Sequence, residues 1–161
     1  MSATETVMVS VVLERRIPVS VWAHLLWVPA AVLPGVPDLA EGTALGVTDT
    51  GERFFAGPFA MELHRTDTAT YRDNLATEAP RIWVAARPQA DGSMPAIVGV
   101  TPDPAEGESY TEAGDDIVET VPMAPEIAGV LAAFIEAHHV ERPFIKRRRR
   151  DWVSDEPDDM A

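Results

Sequence analysis

VMVSVVLE, residues 7–14, is the stretch on which the fold class turns. Val7, Val9, Val11 and Leu13 recur at every second position and make one wholly apolar face, with Ser10 and Glu14 on the other. Successive side chains of a strand point to opposite faces, so this alternation predicts a strand with one face in the core. Ile17-Pro18 breaks it. The apolar run Val21–Leu33 then predicts a second strand, in which Pro29 marks an edge, a bulge or an end because proline has no N–H to give to a ladder.

Turn chemistry divides the chain beyond Leu33. Pro34-Gly35-Val36-Pro37 reads as a turn, Ala44–Val47 as a short strand, and Asp49-Thr50-Gly51-Glu52 as a hairpin turn in which Gly51 is free to take positive φ. RFFAGPFAMELH, residues 53–64, has Gly57-Pro58 at its centre and should bend or bulge there. Beyond the bend Phe59, Met61 and Leu63 alternate with Ala60, Glu62 and His64. Asp67 or Thr68 caps a short helix through Leu75. Ile82, Val84 and Ala86 mark another strand, Gln89–Ser93 a turn and Ala96–Val100 a partner strand. Pro102 and Pro104 open an acidic helix ending at Gly114, where glycine suits a C-terminal cap.

The last helix carries the clearest signature. Pro125 suits the first helical position and Glu126 the positive end of the helix dipole. Ile127, Val130, Leu131, Phe134 and Ile135 follow the stripe of a core-facing helix. His138 and His139 fall in its last turn, and Pro143 prevents much continuation. Strands dominate the first hundred residues and helices the last sixty. The class is therefore α+β: a mostly antiparallel sheet or partial barrel, with about three helices segregated to the C-terminal half. One domain is expected over residues 1–150, followed by a disordered acidic tail at 151–161.

Composition excludes several chemistries. The chain has 161 residues and no cysteine, which removes disulfides, cysteine-ligated zinc or iron–sulfur clusters and thiol nucleophiles. Glu5 stands where a signal peptide carries positive charge, and the thirteen-residue run at 21–33 is shorter than the ~20 residues of a membrane span, so a cytoplasmic protein is expected. The formal net charge is −13, yet Lys146, Arg147, Arg148, Arg149 and Arg150 are consecutive cations, with Arg142 just before them. These six are the candidate partner-binding residues. They suit an acidic protein surface, nucleic-acid phosphates or anionic lipid, although an acidic chain is a poor general nucleic-acid binder. The competing reading is a solvated segment folded back on the acidic 103–119 region or the tail.

No constellation names a reaction. His24, His64, His138 and His139 are the candidate metal ligands besides carboxylates; Glu62 and His64 share a strand face that His24 could approach, but the spacing matches no metal signature. Trp22, Trp27, Trp83 and Phe54-Phe55 could line a pocket. Trp27 and Trp83 suit a core better, and Trp22, beside Ser20, a surface. The glycines never gather into a phosphate-binding loop, no Gly-x-Ser-x-Gly occurs, and Asp115-Asp116 reads as part of a solvated acidic face. No catalytic residue, metal or cofactor is accordingly expected, the residues that would bind a cofactor stay unassigned, and the balance leans away from an enzyme.

In order, VSVVLERR (9–16), WAHLLWVPAAVLPG (22–35), FAGPFAMELHRTDTATYRDNL (55–75) and VPMAPEIAGVLAAFIEAHHVERPFIKRRR (121–149) resemble the proteobacterial family catalogued as domain of unknown function 3305. Its members are often encoded beside molybdenum-dependent formate dehydrogenase genes. The resemblance implies a non-catalytic accessory or adaptor role in maturing or operating such an enzyme, with formate dehydrogenase or its assembly factors as partner. One alternative is a protein that handles molybdopterin or guanine nucleotide; a second is a nucleic-acid-binding regulator. The family brings no established functional residues, so none is carried over.

Overall fold

In a computed structural model the described residues are 4–17 and 26–139. They form two antiparallel sheets. The first has β1 (Thr4–Arg16), β2 (Leu26–Pro34), β3 (Ala44–Val47) and β4 (Gly51–His64) in the order β2-β1-β4-β3. The second has β5 (Arg81–Arg87), β6 (Ala96–Thr101) and β7 (Ile117–Pro122) in the order β6-β5-β7. β4 lies beside β6 and β2 beside β7, so the sheets enclose one core without closing into a barrel. Three helices complete the α+β architecture: α1 (Thr68–Leu75), α2 (Pro104–Ser109), which runs on as a 3-10 turn, and α3 (Pro125–His138), which packs on α1.

Val9, Val11 and Leu13 of β1 are fully buried in that core beside Met61, Leu63, Ile82 and Val84. The opposite face of β1 is covered as well. Ser10, Val12 and Glu14 are buried, because β1 is an inner strand and the segment after β2 folds over it. The Ser10 hydroxyl donates to the Gly35 carbonyl at 2.6 Å. Both neighbours of β1 carry an extra residue at the level of Val12: Ala30 in β2 and Ala56 in β4 stand outside the pairing register. Pro29 sits beside the first bulge on a sheet-edge strand, the setting in which proline is tolerated within a sheet. Gly57, with φ of 113°, forms the second, as Gly57-Pro58 leads one to expect.

Two local expectations need correction. Gly51 does not adopt positive φ; a side chain is excluded there because a Cβ would run into the Arg15 carbonyl and lie 2.9 Å from Arg16 Cα. Val130 is 39% exposed, while Ile127, Leu131, Phe134 and Ile135 are buried. It lies about 60° behind Ile127 around the axis, at the margin of the buried arc. β7 lies between the acidic helix and the last one, in a stretch where the sequence pattern marks no element. Its sequence, IVETVP, buries only Val121 fully and takes its place by pairing along Arg81–Ala86 of β5.

Candidate functional site

The outer face of the four-stranded sheet carries an apolar groove. Ser10 and Val12 of β1 and Phe55 of β4 floor it; Leu33 and Pro34 of β2 form one wall and Leu45 of β3 the other. Val36, Pro37 and Leu39, from the connection after β2, overhang it. The cavity measures about 500 Å³. Leu33, Val36, Leu39 and Leu45 are 42–50% exposed, so the walls face solvent while the floor is buried. The Ser10 hydroxyl is turned to Gly35, leaving the floor without a polar demand on an occupant. Asp38 stands between two of the overhanging residues, and Glu41 reaches back over Gly57, where a Cβ would lie 2.6 Å from its Oε2.

Farther along the same face, Glu14 is a buried carboxylate with every oxygen engaged. Its Oε2 accepts from the Thr50 hydroxyl at 2.6 Å and its Oε1 from Arg53 Nε at 3.0 Å, with Arg16 Nε 3.5 Å away. The Thr50 hydrogen bond holds its pKa below the ordinary carboxylate range; burial opposes this, and Arg53 and Arg16 reinforce it. Because the folded-state pKa is the lower one, this interaction stabilises the fold above the unfolded value near 4.5 and is lost as pH falls through the folded one. Glu14→Gln is expected to cost about 1–2 kcal/mol at pH 7. Urea titrations at pH 7, 5 and 3 check this: the variant's deficit should shrink towards pH 3, and a constant deficit contradicts the assignment.

A second polar cluster lies where α1, α2 and the end of β4 meet. The buried Tyr71 hydroxyl accepts from the His64 N–H at 2.8 Å, and burial pushes its phenol up to about 12. Burial, with Asp103 nearby, raises Asp67. Asp103 caps α2 by accepting from the Ala105 N–H at 2.9 Å, and the Thr101 hydroxyl donates to Glu106 at 2.8 Å. Asn74 donates to the Arg81 and Pro102 carbonyls and accepts from the Arg81 N–H. These groups answer one another, which marks the cluster as a structural clamp.

The residues singled out in the sequence separate widely. Glu62 and His64 do share a face, 3.8 Å apart, and His64 Nδ1 lies 3.2 Å from the Thr4 hydroxyl. His24 falls outside the described residues. Among the described residues no group of three or more His, Asp or Glu is placed to hold a metal. His138 lies tilted against Phe134 with ring centroids 4.5 Å apart, whereas His139 Nδ1 lies 2.9 Å from the Thr68 hydroxyl. Trp27 is half-buried against Phe54 with Arg15 above it, and Trp83 is half-buried beneath α2, where Gly107 lacks the Cβ that would strike the ring. Asp116 of the expected acidic face is held by Arg87 through two hydrogen bonds of 3.0 and 3.1 Å. Trp22, Arg142, Lys146–Arg150 and the 151–161 tail lie outside the described residues. The groove escapes a sequence reading because its liners come from four separate segments; only Phe55 stands out beforehand as a pocket candidate. No described helix is long and apolar enough to cross a membrane.

The family model described as "Protein of unknown function (DUF3305)" matches residues 8–149. No curated protein and no solved structure matches the chain.

Proposed function

We propose a function from one premise: the chain belongs to the DUF3305 family. It is a non-catalytic accessory protein that docks a protein partner through Arg142 and Lys146–Arg150, in the maturation or operation of a molybdenum-dependent formate dehydrogenase. The observation that supports the docking is where positive charge lies along the chain. Residues 4–139 hold twenty acids and seven arginines, whereas residues 140–161 hold six of each charge. Five of those seven arginines are committed inside the domain. Arg15 pairs with Glu52, Arg16 and Arg53 with Glu14, and Arg87 with Asp116; Arg81 is bound to Thr120. An acidic partner is repelled by the body and finds its cationic foothold on the run that follows α3.

Affinity capture from the native host at low salt, with Lys146–Arg150 intact or all changed to glutamine, tests the reading. Recovery of formate dehydrogenase or its assembly factors with the intact chain alone is the expected outcome. Equal recovery by the glutamine variant removes the basic run from the reading, and recovery of neither protein removes the setting.

A further inference from the structure

We propose that the groove on the outer face of the β2-β1-β4-β3 sheet is a second docking site, occupied by a short amphipathic helix of a protein partner with lysine or arginine flanking its apolar side. It deepens the accessory reading and rests on it. Size and lining define one half of the occupant. From β2 to β3 the groove crosses three interstrand spacings, about 14 Å, which is about nine helical residues. That length presents apolar anchors at i, i+3 or i+4, and i+7, the pattern by which a helix lies in an apolar groove. The cavity of about 500 Å³ is lined almost wholly by hydrocarbon, and Ser10 is already satisfied by Gly35. Leu33, Val36, Leu39 and Leu45 would be removed from water by such an occupant.

Charge defines the other half. Asp38 and Glu41 belong to the overhanging connection, and Arg16 and Arg53 on this face share the single carboxylate of Glu14, so these groups together number three acids to two arginines. An acidic helix would meet like charge at the rim and a body with twenty acids against seven arginines; a cationic one is drawn in. The same charge opposes a second copy of this chain, which would bring an equally anionic body face to face.

Fluorescence anisotropy of the full chain with a labelled fourteen-residue leucine/lysine amphipathic peptide is the test, beside the leucine/glutamate peptide of the same pattern. Saturable binding of the lysine peptide, weakened at least tenfold by combined Leu39→Ser and Leu45→Ser, is expected, with no binding of the glutamate peptide. Amide shift mapping should place the change at Val36, Leu39 and Leu45, and the double variant should keep the parent spectrum elsewhere, since both leucines are surface residues. Four results would overturn the proposal: equal binding of both peptides; shifts confined to the acidic 103–119 stretch; a dimer of the free chain that Leu39→Ser and Leu45→Ser dissolve; or movement of the groove signals, without peptide, when Lys146–Arg150 are neutralised. The last would give the groove to the chain's own C-terminal residues. None of these readouts involves formate dehydrogenase, so failure here is distinct from failure of the capture experiment.

Discussion

Phe134→Ala is expected to lower the unfolding free energy by about 4 kcal/mol, within the range for truncating a buried phenylalanine. Phe134 is 3% exposed and stands at the junction of the two packed helices. Its ring meets the edge of Tyr71 at 6.2 Å and the imidazole of His138 at 4.5 Å. Tyr71 is fixed from elsewhere by its bond to the His64 amide, so it cannot collapse into the space left behind. α3 is held by one stripe of four buried side chains, and alanine removes the largest of them. A fall in Tm of roughly 12 °C corresponds to that loss for a chain of this size. Urea and thermal unfolding measure it, and a deficit under about 1 kcal/mol would mean that α3 is not packed as described. The basic run begins just beyond this helix, so the variant should also weaken partner capture without touching a single cation.

Asn74→Ala should cost about 3 kcal/mol, although it deletes no apolar surface of consequence. Asn74 is 5% exposed and its carboxamide joins three stretches of chain: it donates to the Arg81 carbonyl at 2.8 Å and the Pro102 carbonyl at 2.9 Å, and accepts from the Arg81 N–H at 3.1 Å. Alanine leaves two carbonyls and one amide with no partner where water has little access, and it is this desolvation, not the mean value of a hydrogen bond, that sets the cost. Hydrogen exchange should quicken first at the start of β5. An unchanged exchange pattern together with a deficit below about 1 kcal/mol would show that water replaces the side chain.

The reach of sequence reading followed the reach of the interactions. Val9, Val11 and Leu13 declare their strand because a period of two is local, and Pro125 with Ile127, Leu131, Phe134 and Ile135 declares α3 for the same reason. The bulge at Gly57-Pro58 was legible because glycine and proline restrict the backbone by themselves. β7 was not, since its half-buried residues depend on pairing with β5, about thirty-five positions earlier in the chain. Nor was the covered state of Ser10 and Glu14, which needs Gly35, Thr50 and Arg53 brought over β1. The groove failed to appear for that reason also: Val12, Leu33, Leu39 and Leu45 become neighbours only when β1 is flanked by β2 and β4 and the connection folds across. The basic run was visible at once, because a block of charge requires no folding to be recognised.

The paired bulges at Ala30 and Ala56 also govern where the chain can gain or lose residues. Each sits in a strand whose alternate side chains face the core, so one residue added or removed there would send every later side chain of that strand to the wrong side. The connection from Gly35 to Thr43 has no such constraint, and it is also the roof of the groove. Length variation among relatives should therefore collect in the segment that shapes the groove, so that the size of this surface can drift from one lineage to another while the core beneath it stays the same.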